Sequence, residues 1–201
     1  MARGVNMAQL VRPILSYLAL YSVVFGLAYP AAVAGFARLT FPAKAGGSVL
    51  SAGQEQVGST FIGQPFTRPE FFWGRPSATV PGAYNAAASA ASNLGPSNPT
   101  LRETIKARVA ALRSRDPGNT LPIPIDLVTT SGSGLDPHIS PAAAFYQVRQ
   151  VARLRGLPEE VVRRLVDEHV EGRLPGVFGE PRVNVLLLNL ALKRMEKIGE
   201  R

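Results

Sequence analysis

The sequence contains no cysteine and only two histidines in 201 residues. Without cysteine, disulfide bonds and thiolate metal sites are excluded. His138 and His169 lie far apart in the chain and neither belongs to an HExxH pattern, so no zinc site built by the protein is expected. The sequence also lacks a Walker A pattern, GxxxxGKS or GxxxxGKT, and a GxSxG nucleophile elbow. We therefore predict no catalytic residue, no metal site and no intrinsic cofactor.

Acidic residues are too few to balance the basic ones. The chain has 22 Lys and Arg against 14 Asp and Glu, a formal net charge of +8. The excess is spread along the chain and is not gathered in a tail. We interpret it as a solvated basic surface that would face lipid headgroups or an acidic partner protein, and we expect no nucleic-acid partner.

Charged side chains are also missing from one long apolar stretch, which lies between Arg12 and Arg38. A bilayer core about 30 Å thick needs about 20 apolar residues in a helix. The stretch therefore predicts one transmembrane helix over residues 13–37. The positive-inside bias then predicts that residues 1–12 are cytoplasmic and that residues 38–201 lie outside the membrane.

An alternative is a cleaved signal peptide, in which Arg3 and Arg12 form the basic region and Ala32-Val33-Ala34 forms the cleavage site. The apolar stretch exceeds the 7–15 residues of a typical signal-peptide core, which favours an uncleaved anchor.

Small residues recur along this predicted helix with a spacing of four. Ser22 and Gly26 form one such pair, and Ala28 and Ala32 repeat the spacing. Small side chains let two helix backbones approach closely within a bilayer. We predict that Ser22 and Gly26 pack against a membrane partner; the alternative is that they are ordinary small residues of a membrane helix.

The rest of the chain predicts one mixed α/β domain, rich in helix and with few short strands. Asn98-Pro99, Ser140-Pro141, Pro158 and Asn184 each precede an apolar pattern of helical period. Residues 58–63 predict a short strand. Residues 68–81 predict an ordered loop, and residues 121–129 an edge strand or an extended segment, because proline cannot donate to a sheet.

The most unusual segment is residues 129–141, TTSGSGLDPHISP. Backbone amides of a small-residue loop before a helix can hold a phosphate, so Ser131, Gly132, Ser133 and Gly134 are candidate nucleotide-binding residues. The alternative is a structured turn that Asp136-Pro137 initiates and Ser140 caps. His138 is interpreted as a solvated or capping side chain rather than a catalytic base.

Aromatic side chains gather at Phe66, Phe71, Phe72 and Trp73, beside Arg75. Aromatic residues and arginine often anchor interfaces, which would make this a surface that faces a partner. The alternative is a satellite core.

Several motifs in this order are similar to one known family. They are Gly58-Ser59, Ile62-Gly63-Gln64-Pro65-Phe66, Arg75-Pro76-Ser77-Ala78, Tyr84-Asn85, residues 92–99, 108–113, 126–129, 131–141, 179–186 and 188–192. Together they resemble the KdpC family, the small subunit of the Kdp potassium-transporting P-type ATPases of bacteria and archaea. The resemblance covers nearly the whole chain.

The resemblance implies a subunit of the bacterial inner membrane that is not itself an enzyme. Its implied partners are the potassium-translocating subunit KdpA, the ATP-hydrolysing subunit KdpB and the small subunit KdpF, with ATP reached only through the complex. The family is described as a catalytic chaperone that raises the ATP affinity of the hydrolysing subunit, and also as a stabiliser of the assembly from outside the membrane. The alternative function is a nucleotide-binding regulatory module that uses Ser131 to Gly134.

Overall fold

In the computed structural model, the described residues are 7–52, 55–173 and 176–199. Arg3 and the first half of the predicted cytoplasmic segment lie outside them. The chain divides into two compact units, Met1–Val49 and Leu50–Arg201.

The N-terminal unit is helical through the predicted anchor. Helix α1 covers Met7–Val23, a π-helical turn covers Val24–Ala28, α2 covers Tyr29–Thr40, and a short α3 covers Pro42–Ala45. The stretch Leu10–Thr40 has a mean hydropathy of 1.7 and is long and apolar enough to cross a membrane. The helix extends beyond the predicted residues 13–37 at both ends.

The π-helical turn was not predicted from the sequence. The amide of Tyr29 donates to the carbonyl of Val24, five residues earlier, which is the bond of a wide turn. The next residue, Pro30, has no amide hydrogen for the carbonyl of Gly26, and in a regular α-helix its ring would clash with that carbonyl. A wider turn just before the proline relieves the crowding.

The remaining elements are, in chain order, strands β1 (Val49–Ala52) and β2 (Glu55–Ser59), helix α4 (Pro99–Arg115), a 3₁₀ turn (Ile125–Leu127), strand β3 (His138–Ile139), helices α5 (Pro141–Arg155) and α6 (Glu159–Glu168), strands β4 (Val170–Glu171) and β5 (Arg182–Asn184), and helix α7 (Val185–Gly199). This confirms a helix-rich domain with few short strands.

Helices α4 and α5 begin where the sequence predicts. The Asn98 side chain accepts a hydrogen bond from the amide of Thr100 at 2.9 Å, and the Ser140 hydroxyl accepts one from the amide of Ala143 at 3.1 Å. Gly156 ends α5 in the left-handed conformation, at a φ of 64°, which favours glycine. These contacts satisfy backbone groups that each helix end would otherwise leave unpaired.

Two strand predictions need correction. The strand predicted at residues 58–63 is shifted: β2 ends at Ser59, because the chain then folds back and the Gln64 side-chain amide donates to the Val57 carbonyl. Residues 121–129 are extended and then form the 3₁₀ turn, so the edge-strand alternative is wrong and the extended segment is correct.

A small antiparallel sheet lies beside the helices, with the strand order β3-β5-β4. His138 pairs with Asn184, and Val183 pairs with both Ile139 and Val170. Val183 and Ile139 are buried in the same core as the apolar faces of α5, α6 and α7. The sheet thus fixes the segment before α5 to the segment before α7.

Candidate functional site

Two buried amide side chains hold a long loop against the helices. The loop covers residues 60–98, all of them described, and runs without helix or strand. Asn189 of α7 accepts from the amide of Phe72 and donates to the carbonyl of the same residue, each at 2.9 Å. Gln147 of α5 does the same for Trp73, at 2.8 and 3.1 Å. Each amide side chain therefore pairs with a loop residue as a neighbouring strand would.

Two further polar side chains fix the ends of the small sheet. Asn184 donates from its side chain to the carbonyl of Thr60 at 2.8 Å. The Asp126 carboxylate accepts from the amide of Ser140 at 2.7 Å and from its hydroxyl at 3.2 Å. Because Ser140 also caps α5, Asp126 connects the 3₁₀ turn to the start of that helix.

An open cleft of about 590 Å³ lies between these elements. Asp136 occupies its wall between two basic groups: Arg75 lies 3.3 Å from one carboxylate oxygen, and the His138 ring nitrogen Nδ1 lies 3.4 Å from the other. Arg75 also donates to the carbonyl of Thr130 at 3.0 Å. Arg75 gives the carboxylate a counter-charge, and the contacts tie the 60–98 loop to the segment that enters strand β3.

Burial and these neighbours shift two pKa values. Desolvation alone would raise the pKa of the Asp136 carboxyl, but hydrogen bonds from His138 and the positive charges of His138 and Arg75 lower it overall. Burial raises the pKa of Tyr84 to about 12, with a further increase from the charge of Asp136. The Tyr84 hydroxyl donates to the Arg75 carbonyl at 2.5 Å. Asp136 therefore stays ionised and Tyr84 stays neutral near pH 7, which suits a structural ion pair.

The predicted nucleotide loop is a tight turn packed against the 60–98 loop. The Ser131 hydroxyl accepts from the amide of Gly134 at 2.8 Å, and the Gly134 carbonyl accepts from the Ser77 hydroxyl at 2.7 Å. Gly134 has a φ of 68°, and a Cβ there would lie 2.6 Å from the carbonyl oxygen of Ala90. The backbone of Ala90 is too close to Gly134 to leave room for any side chain there.

The other two residues of that loop differ in their contacts. The Ser133 carbonyl accepts from the Ala90 amide at 3.0 Å and from the Ser89 hydroxyl at 2.9 Å. Gly132 is exposed, and a Cβ there would meet nothing within 4 Å. The structure therefore brings Ser131, Ser133 and Gly134 into the packing of the turn, and it leaves Gly132 at the surface.

The predicted packing residues of the anchor lie on an exposed helix surface. Ser22 and Gly26 are both exposed, and a Cβ at Gly26 would meet nothing within 4 Å. Gly26 lies within the π-helical turn. Tyr17, Tyr21 and Phe25 form a neighbouring aromatic row, with ring centroids 6.0 and 5.8 Å apart. The packing of Ser22 and Gly26 against a membrane partner stays a prediction.

The aromatic cluster is mostly core. Phe72 is fully buried, and Phe66 and Trp73 pack against the core. The guanidinium of Arg115 lies over the Trp73 ring, and the Phe66 and Phe71 rings are 5.7 Å apart. The satellite-core interpretation is therefore the better description of these side chains.

Sequence reasoning did not assign the contacts that hold this region together to Asp126, Gln147, Asn184 and Asn189. A signal was available for Asn189, because it interrupts the apolar run at residues 185–192 of α7 and a buried amide needs a hydrogen-bond partner. The partner itself could not be identified from the sequence. Among the described residues, no group of three or more His, Asp or Glu side chains is placed to hold a metal ion.

The chain is similar to potassium-pump subunits over most of its length. Residues 11–194 match the family described as KdpC, K+-transporting ATPase, c chain. A Ralstonia nicotianae protein named potassium-transporting ATPase KdpC subunit is 61% identical over 85% of this chain and 84% of its own length. Proteins of the same name from Variovorax paradoxus and Herpetosiphon aurantiacus are 58% and 55% identical, over 92% and 93% of this chain and 96% and 97% of their own lengths.

Proposed function

The chain belongs to the family of the c chain of K+-transporting ATPases, and from this premise we propose that it is a non-catalytic accessory subunit that stabilises the assembled pump. Its long apolar helix, Leu10–Thr40, anchors it in the membrane, and its domain lies on the outer side. In this proposal the chain raises the ATP affinity of the hydrolysing subunit, as a catalytic chaperone, by holding the complex in its active arrangement. Its partners are the potassium-translocating KdpA, the ATP-hydrolysing KdpB and the small subunit KdpF.

One observation carries this proposal: the domain uses its buried polar side chains to hold its own loops. Asn189 and Gln147 pair with the loop backbone, and the half-buried Asp136 carboxylate is paired with Arg75. Side chains engaged in this way fix a surface in one shape. A rigid surface lowers the entropy lost when a partner binds, which suits a subunit whose role is assembly.

The proposed side of the membrane follows from the anchor. Its helix from Leu10 to Thr40 has 31 residues, about 46 Å at 1.5 Å per residue, and exceeds the bilayer core of about 30 Å. Arg3 and Arg12, which precede the charge-free stretch, favour a cytoplasmic N-terminus. A domain outside the membrane cannot touch a cytoplasmic nucleotide, so its effect on ATP affinity has to pass through the partner subunits.

The test is reconstitution of the pump with and without this chain. We expect potassium-stimulated ATP hydrolysis by the complex to require the chain, and its loss to raise the apparent KM for ATP in any residual complex. The full-length chain alone is expected to hydrolyse no ATP. ATP hydrolysis by the purified chain that persists after contaminating ATPases are controlled for would contradict a non-catalytic role.

The alternative function, a nucleotide-binding module at Ser131, Gly132, Ser133 and Gly134, stays a prediction. ATP is titrated into the full-length chain and into Gly132→Val, which has open space for its side chain. Binding that Gly132→Val weakens supports the module, whereas equal binding removes the loop from consideration.

A further inference from the structure

A second cavity lies between helix α4 and the 60–98 loop, and Arg75 is the one residue that its lining shares with the cleft at Asp136. Its volume is about 300 Å³. Its walls are largely apolar and aromatic, and include Phe66, Trp73, Tyr84, Leu112 and Leu127, with Arg108 among them. Concave, mostly apolar spaces with a few polar groups are typical of small-molecule sites.

The charge of this cavity is of one sign. Arg75 and Arg108 line it, and no Asp or Glu does. Arg75 is already paired with Asp136. Arg108 donates from Nη1 to the carbonyl of Val128 at 2.8 Å, and within the described part of the chain it forms no ion pair. Burial lowers the pKa of the Arg108 guanidinium. A guanidinium that is partly withdrawn from water and has no counter-ion favours an anionic ligand.

We propose that this cavity binds a small amphipathic carboxylate. Its carboxylate group pairs with the Arg108 guanidinium, whose planar fork matches two carboxylate oxygens. Its apolar body lies against Phe66, Trp73 and Leu112. The volume of about 300 Å³ is at the low end for ligand cavities, so the ligand is a monocarboxylic acid with one ring or a short chain, not a nucleotide.

The chain carries its own probe for this site. Trp73 is the only tryptophan and forms part of the cavity wall, so its fluorescence reports occupancy. Cyclohexanecarboxylate is titrated into the full-length chain in uncharged maltoside micelles, and cyclohexanecarboxamide serves as the neutral comparison. We expect a saturable change with the acid and binding of the amide at least about tenfold weaker, since loss of a charge-assisted pair of about 1.4 kcal/mol is tenfold in affinity.

Variants on two faces of α4 separate a specific site from general charge. Arg108→Gln should weaken binding of the acid about tenfold or more, and Arg108→Lys should restore part of it because the charge returns. Arg102→Gln is the matched control, since Arg102 is exposed on the same helix. Ala111→Phe narrows the cavity from the helix side and should weaken the acid and the amide alike.

The outcomes decide the proposal in each case. No saturable change with the acid, equal affinity for acid and amide, or equal losses in Arg108→Gln and Arg102→Gln would overturn it. Circular dichroism establishes that each variant is folded. If Arg108→Gln does not fold, the affinities of Arg108→Lys and Ala111→Phe for the acid decide. Full affinity in Ala111→Phe overturns the proposed site, and weakened binding of the acid by Ala111→Phe supports it.

Discussion

Replacing Asn189 with alanine should be among the most damaging single substitutions in the domain. Asn189 is buried, and its side chain forms two hydrogen bonds of 2.9 Å with the backbone of Phe72. The variant removes both bonds and leaves the amide and the carbonyl of Phe72 buried without a partner. It also leaves a small cavity in α7 beside the core.

The magnitude follows from the two orphaned groups. A buried polar group without a hydrogen bond costs about 1–3 kcal/mol, so the pair costs about 2–6 kcal/mol before any water enters. We expect a loss of about 3 kcal/mol in the free energy of unfolding. Total stabilities are about 5–15 kcal/mol, so the variant should fold but unfold at a clearly lower urea concentration.

The assay is equilibrium urea unfolding of the full-length chain in micelles, followed by Trp73 fluorescence. Trp73 adjoins Phe72 and therefore reports release of the loop. Two controls set the scale. Lys193→Ala, at an exposed residue of α7, should change the stability by less than about 0.5 kcal/mol. Asn98→Ala removes one exposed helix cap and should cost about 1 kcal/mol. A loss for Asn189→Ala no larger than that of Asn98→Ala would refute the reasoning.

Three further predictions concern other parts of the chain. Asp136→Asn should destabilise the domain near neutral pH by about 1–3 kcal/mol. Because folding lowers the pKa of Asp136, the stability that its carboxylate contributes is present above the ordinary carboxyl pKa of 3.8 and is lost as pH falls through the lower folded value. The urea midpoints of wild type and variant should therefore converge below about pH 4, and a difference that stays constant with pH would contradict this. Gly134→Ala should cost about 2 kcal/mol or more in urea unfolding, because its Cβ meets a backbone carbonyl at a positive φ, whereas Gly132→Ala should change stability by under about 0.5 kcal/mol; equal effects would be inconsistent with the packed turn. Gly26→Leu should reduce recovery of the complex on an affinity-tagged partner subunit, and Leu27→Ile is the control. An intact, active complex with Gly26→Leu would show that the helix does not pack against a partner through Gly26.

The proposed assembly role and the proposed ligand site meet at the same loop. The 60–98 loop is held by Asn189 and Gln147 on one side, and it forms the wall of the cavity at Arg108 on the other. A ligand in that cavity would add contacts between the loop and α4. Because ligand binding to the folded state stabilises it by mass action, the carboxylate probe should also raise the urea midpoint of the wild-type chain.

Local signals made part of the fold predictable. The charge-free stretch after Arg12 predicted the long apolar helix, since length and hydropathy are properties of consecutive residues. Asn98, Ser140 and Gly156 marked helix ends, because each acts on backbone groups within one turn of itself. The strand at residues 58–63 was misplaced because a run of a few residues holds too little period to fix its register, and the return of Gln64 to Val57 ended it early.

By itself, then, the sequence determined the long apolar helix, the helix-rich class, the helix starts and the family resemblance, all of which depend on residues near one another in the chain or on their order. Only the tertiary structure decided what the polar side chains do. Asn189 pairs with Phe72 across 117 residues, Gln147 with Trp73 across 74, and Arg75 with Asp136 across 61. Such pairings depend on how the helices pack, since an amide or a carboxylate in a sequence shows that a partner is needed but does not identify it.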